Sequence, residues 1–139
     1  MPRTHIHRVH VEFGDCDPAG IAYFPNFFRW FDAASRHFFA AAGVPPWREL
    51  EKTEGILGTP VVDVSCRFVA PTSYGEDVEV HTSITEWGGK SFTMRHELRR
   101  GAELLAEGRE VRVFVKRHPE TPGRMVAVPV PDHVRRACE

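Results

Sequence analysis

The stretch that most constrains this chain is residues 13–39, FGDCDPAGIAYFPNFFRWFDAASRHFF. It has two halves. Between residues 13 and 20, Gly14, Pro18 and Gly20 break regular structure, and Asp15 and Asp17 place two short carboxylates in the break. From Pro25 the pattern becomes helical. Proline suits a first turn, where a missing N–H costs nothing, and Gly43 is a natural stop. Phe27, Trp30, Phe31, Ala34, Phe38 and Ala41 recur at i, i+3, i+4, i+7, while Phe28 and Phe39 add apolar surface on another side. A helix over residues 25–42 that is apolar nearly all round belongs in a core. It is too short, and Arg29, Asp32 and Arg36 are too many charges, for a membrane span.

A carboxylate-bearing loop thus runs into the start of a buried helix. That start offers unpaired N–H donors and a partial positive charge. Asp17 lies beside it as a base or nucleophile. Donors and a carboxylate together are what is needed to attack a carbonyl and hold the oxyanion that forms.

The flanks predict β structure. Residues 5–13, HIHRVHVEF, alternate, with Ile6, Val9, Val11 and Phe13 as the apolar set of a strand with one buried face. His5, His7 and His10 invite a metal reading, but no carboxylate or cysteine completes a set, and histidines on an exposed strand face are the simpler expectation. After Pro45–Pro46, Trp47 to Glu54 predicts one or two short helical turns ended by Gly55. From Thr59 the pattern is β, with Val62, Val64, Cys66 and Phe68 on one face. Strands follow at 78–87 and 90–100, joined through the hairpin signal Gly88–Gly89, then a turn and a long strand within 101–117. A short strand at 125–131 carries prolines that suit an edge, and DHVRRACE ends as a helical turn. The order is strand, long helix, then at least four strands with short connections, an α+β architecture with an antiparallel sheet around one helix.

At 139 residues the chain predicts one domain spanning 1–139. A formal net charge of −1 leaves no nucleic-acid footprint. Cys16, Cys66 and Cys138 have no metal-ligand spacing, and their odd number argues against a disulfide framework. The first residues hold no apolar signal core, so the cytoplasm is the expected location, with no membrane partner.

Four blocks carry a resemblance to a known family: D-x-D-P-A-G-I at 15–21, Y-x-P-N at 23–26, R-W at 29–30 and D-A-A-S-R at 32–36. With GVPPW (43–47), GTP (58–60), KSF (90–92) and VRVF (111–114), they span nearly the whole chain. The sequence resembles the hotdog-fold thioesterases, specifically the 4-hydroxybenzoyl-CoA thioesterase branch. The resemblance implies a sheet wrapped around one long central helix, and a homodimer or homotetramer with sites at the subunit boundary.

It also implies roles. Asp17, the second aspartate of the first block, is the expected catalytic carboxylate, attacking the thioester directly or activating a water. The backbone N–H of Phe24, where many relatives carry tyrosine, is the expected oxyanion donor. Asp15 is expected to fix the loop through backbone bonds. Cys16 lacks a histidine partner and is expected to be inert. For Asp32 two readings stand: an ion pair with Arg29 or Arg36 at helical spacing, or a contact to a polar acyl end such as a phenol, with Thr59 and Pro60 lining the same pocket. Lys90 and Ser91 are the best-matched candidates for coenzyme A phosphates; Arg67, Arg95, Arg112, Lys116 and Arg117 are further ones. No metal or redox cofactor is implied, since coenzyme A belongs to the substrate. The expected function is hydrolysis of an aromatic acyl-CoA, with short aliphatic or other aryl esters, or a non-catalytic acyl-CoA binder, as alternatives.

Overall fold

The computed structural model describes residues 2–139. Strand β1 (Thr4–His10) is followed by a 3-10 turn (Phe13–Asp15), the long helix α1 (Pro25–Ala41) and the short helix α2 (Trp47–Glu54). Four strands come next: β2 (Val61–Phe68), β3 (Asp77–Trp87), β4 (Ser91–Arg100) and β5 (Glu103–Val113). The short pair β6 (Val115–Arg117) and β7 (Met125–Ala127) and the helix α3 (Asp132–Ala137) close the chain. β1 to β5 form one antiparallel sheet in the order β1-β3-β4-β5-β2, and β6 and β7 form a separate two-stranded sheet. This is the expected hotdog arrangement.

α1 is the core of the molecule because its apolar positions have somewhere to go. Phe27, Trp30, Phe31, Ala34, Phe38 and Phe39 are buried. Ala41, which the spacing includes in that set, is exposed, and Phe39 takes its place, packing edge-on against Phe38, Trp47 and Phe92. Gly43 ends the helix with φ +87°, a conformation open to glycine, and Val44 N–H donates back to Phe39 O at 2.9 Å. α2 stops at Gly55 in the same left-handed way.

Three expectations need correction. β1 turns His5, His7 and Val9 inward, while Ile6 is 44% exposed. His37 of α1 is the reason: it stacks on His7 with ring centroids 4.2 Å apart and reaches His5 at 6.4 Å. β2 has no buried face at all; it is a sheet edge, with Val61, Val62, Val64 and Phe68 all exposed. The long strand expected within 101–117 breaks at Phe114, whose fully buried ring packs against Trp47 and Phe92 while its backbone bonds to Lys90 and Val128. Among the described residues no helix is long and apolar enough to cross a membrane, and all three cysteines are free.

Candidate active site

The loop before α1 is built by two short strands of backbone bonding. Asp17 N–H donates to Ile21 O at 3.0 Å, Tyr23 N–H to Asp15 O at 2.8 Å, and Cys16 and Ala22 form a bridge between them. Gly20, at φ +83°, makes the reversal, and its N–H closes on Asp17 O at 2.9 Å. Asp15 anchors the assembly. Its carboxylate accepts from Glu12 N–H (2.9 Å) and Arg29 Nη2 (2.7 Å), and its carbonyl from Asn26 Nδ2 (2.7 Å).

Asp17 is half-buried and differs from Asp15 in what holds it. Oδ1 accepts from Ala19 N–H at 2.9 Å, a local Asx turn. Oδ2 meets no donor among the described residues. Seven residues later, at the N-cap of α1, stands a donor in the matching condition: Phe24 N–H has no protein acceptor among the described residues, because Pro25 opens α1 and the first helical bonds serve later amides. Tyr23 and Phe24 are more than half exposed, and the Phe24 ring meets Tyr23 and Phe68 edge-on. With Ile21, Phe27, Phe68 and Val69, Phe24 lines an apolar cleft of about 300 Å³. Cys16 Sγ meets only Glu12 O, at 3.8 Å, and no histidine approaches it.

The α1 groove is the strip of helix between this cleft and a second one further along. Phe24, Phe28, Asp32 and Arg36 follow at every fourth residue and so share one side of the helix. Phe68 faces the Phe24–Phe28 end, packing on Phe24, Phe27 and Phe28, whereas Thr59 and Pro60 line the Asp32–Arg36 end. Residues 59–68 therefore run along α1 in the opposite direction. Eight residues of helix separate Phe24 from Asp32, roughly 12 Å of rise. At the far end Asp32, Arg36, Thr59, Pro60, Trp47 and Met125 border a cleft of about 380 Å³.

Asp32 is not paired with Arg29 or Arg36. Arg29 is taken by Asp15, and Arg36 lies over the Trp47 ring and donates to Val44 O. Asp32 Oδ1 instead accepts from Nη2 of Arg112 at 2.9 Å, and its side chain is 72% exposed toward the groove. Arg112 is consequently no candidate for a coenzyme A phosphate. It is buried, and its Nη1 also donates to Thr59 O at 2.9 Å. Lys90 is exposed at the β3–β4 turn, away from these clefts, and Ser91 is half-buried there, its carbonyl accepting from Gly88 N–H at 2.7 Å. The structure brings together Asp32, Thr59 and Pro60; it does not join Lys90 and Ser91 to them.

Beneath Asp32 lies a chain of polar groups in the core. Glu110 accepts from Arg112 Nη2 at 3.0 Å and from His96 Nε2 at 2.5 Å, and the other ring nitrogen of His96 meets Thr82 Oγ1 at 2.8 Å. All four residues are buried, and Phe31 stacks flat on His96 with centroids 4.9 Å apart. Burial pushes the Glu110 carboxyl upward, but the hydrogen bond and charge of His96, with those of Arg112, outweigh it and hold Glu110 below the usual carboxylate range. This chain has a sequence signal. Phe92, Met94, His96 and Leu98 share one parity of β4, and Ala106, Gly108, Glu110 and Arg112 one parity of β5, which places the polar members on the buried face.

The thioesterase-like superfamily model matches residues 11–138. The chain is 41% identical over 143 residues to the 4-hydroxybenzoyl-CoA thioesterase of Pseudomonas sp. strain CBS-3, covering 99% of both chains. It superposes with a TM-score of 0.91, at 39% identity and 99% coverage of both chains, on a crystal structure of a mutant 4-hydroxybenzoyl-CoA thioesterase complexed with 4-hydroxybenzoyl-CoA. A gentisyl-coenzyme A thioesterase matches with a TM-score of 0.81 and 35% identity, over 96% of this chain and 98% of that one.

Proposed function

This chain belongs to the thioesterase-like superfamily, and we propose that it hydrolyses an aromatic acyl-CoA of the 4-hydroxybenzoyl type to the free acid and coenzyme A. The observation that carries this reading is the junction of loop and helix. The loop carries a carboxylate with one oxygen unbonded among the described residues, Asp17 Oδ2, and the start of α1 an amide with no protein acceptor among them, Phe24 N–H, whose residue lines the apolar cleft. The thioester carbonyl oxygen takes the Phe24 N–H and the positive end of α1. Asp17 attacks the carbonyl carbon, the thiolate of coenzyme A leaves, and water cleaves the resulting mixed anhydride, returning the Asp17 carboxylate. We favour this route over activation of a water, because a thiolate departs readily and an aspartate is a weak base at neutral pH.

The aromatic acyl group extends along the α1 groove between Phe24 and Asp32, and a hydroxyl at its far end donates to Asp32, beside Thr59 and Pro60. Lys90 and Ser91 are proposed to meet the coenzyme A phosphates. The similarity to enzymes named for 4-hydroxybenzoyl and gentisyl esters supports the substrate class. We read the active form as a homodimer or a tetramer built from such dimers.

Thiol release from a panel of acyl-CoAs tests the substrate class. Hydroxylated aryl esters are expected to give the highest kcat/KM. A preference for short aliphatic esters, or negligible release from every ester, would overturn the assignment.

A further inference from the structure

The core under α1 holds an arrangement that stability alone does not explain. Thr82, His96, Glu110 and Arg112 run in one hydrogen-bonded line through a region otherwise built from Phe31, Leu98 and other apolar side chains. Removing two or three charged groups from water is costly, and well-packed apolar residues of like volume often serve stability as well or better. The line is buried along its length and reaches the groove through Arg112, which bonds to Asp32 and to the Thr59 carbonyl there.

The connecting group is Arg112. Its guanidinium is planar and presents five donors in a fixed fork. Two donors are spent inward, with Nε 3.3 Å and Nη2 3.0 Å from the two Glu110 oxygens. That bidentate grip sets the plane of the fork. The outward donors then fall on Asp32 Oδ1 and on the carbonyl of Thr59, both at 2.9 Å. One arginine therefore fixes a carboxylate on α1 and the backbone of the segment facing it across the groove. Glu110 is itself held from behind by His96, which is closed by Thr82 and clamped flat by Phe31. Without this backing, Asp32 would be an exposed side chain free to choose among rotamers.

We propose that His96 and Glu110 are positioning residues which, through Arg112, hold Asp32 and the Thr59 segment in register to recognise a hydroxyl on the far end of the acyl group. Oδ1 of Asp32 is committed to Arg112, and Oδ2, which meets no donor among the described residues, is the acceptor presented to the substrate. None of the buried groups touches substrate or takes part in the bond changes. This inference rests on the reading of the groove as the acyl site.

The test compares kcat/KM for 4-hydroxybenzoyl-CoA and benzoyl-CoA in wild type, Glu110→Gln, Asp32→Ala and the double variant. A hydrogen bond from substrate to a held carboxylate gives the wild type a preference for the hydroxylated ester of about tenfold or more. Glu110→Gln, folded by circular dichroism, is expected to shrink that ratio by about fivefold or more, and to add nothing once Asp32 is alanine, as two members of one unit should behave. A purely structural role would lower both esters together and leave the ratio intact. If Glu110→Gln does not fold, His96→Gln and His96→Leu carry the same readout. The glutamine amide still donates to Glu110 and should keep the ratio, while leucine should lose it. A wild-type ratio retained in folded Glu110→Gln, or in His96→Leu, overturns the inference alone. Equal wild-type rates on the two esters overturn the acyl-site reading and this inference with it.

Discussion

Phe31 fills the space that a side chain at residue 108 would need. A Cβ built on Gly108 in β5 would lie 2.5 Å from Phe31 Cε2, well inside van der Waals contact. Phe31 cannot retreat easily, since it is fully buried and stacked on His96. The sheet is able to approach the central helix this closely only because glycine stands there. We expect Gly108→Ala to lose about 1–3 kcal/mol of stability through overpacking. Thermal unfolding followed by circular dichroism would show it as a fall of several degrees in Tm. An unchanged Tm would mean that the helix sits further from β5 than described.

His5 and His7, half-buried beside His37, predict a pH dependence of stability. Burial, followed by the charge of His37, lowers the pKa of His5; the same two causes and His5 itself lower that of His7. Their folded values lie below the unfolded value of about 6.5, so the unfolded chain takes up protons first. The contribution of the stack is therefore intact above about pH 6.5 and is lost as pH falls below it. His10, raised by its bond to Asp77, works in the opposite direction but is exposed. We expect His7→Phe, which keeps an aromatic ring against His37, to match wild type above pH 7 and to become the more stable of the two near pH 5. Parallel Tm–pH curves for the two proteins would contradict this.

β2 offers an edge that invites pairing with a second copy. Its valines are exposed on both faces and its outer backbone groups are unpaired. The opposite edge, β1, exposes Ile6 as its one large apolar side chain, beside Arg8 and His10. We expect the wild type to sediment as a dimer or a multiple of one, and Val64→Asp, which adds a charge to the edge, to shift it toward half that mass. Sedimentation of both proteins as monomers would remove the proposed homodimer.

The sequence made much of this visible, for identifiable reasons. α1 announces itself by apolar spacing closed by Gly43, α2 by the prolines before it and Gly55 after it, and the loop by its proline, glycines and aspartates. The inward face of β1 was hidden because hydropathy rates His5 and His7 below Ile6. What places them inside is an aromatic partner, His37, some thirty residues away. Asp32 misled in a similar way: helical neighbours suggest Arg29 or Arg36, whereas its partner, Arg112, comes from across the sheet. Helix spacing reports only local pairs, and a buried network spread over β3, β4 and β5 is legible only through strand parity.

The chemical route can be read from a single turnover. Direct attack by Asp17 leaves the aroyl group bonded to protein before water releases it. We expect rapid acid quench with a radiolabelled aroyl-CoA to trap label on the enzyme, on a peptide containing Asp17. Thiol release matched at every time by free acid, with no label on protein, would favour activation of a water instead.

The central claim is that the carboxylate of Asp17 does the chemistry at the head of α1. The most direct measurement is kcat for 4-hydroxybenzoyl-CoA hydrolysis in Asp17→Asn, with Cys16→Ala as its neighbour control. An amide of the same shape keeps the loop but can neither attack nor remove a proton, so kcat should fall by about a hundredfold or more. Cys16→Ala, which removes only a thiol hydrogen-bonded to Glu12 O, should stay within about twofold of wild type, in the ordinary range for a side chain outside the chemistry. Folded Asp17→Asn that turns over at the wild-type rate would contradict the account.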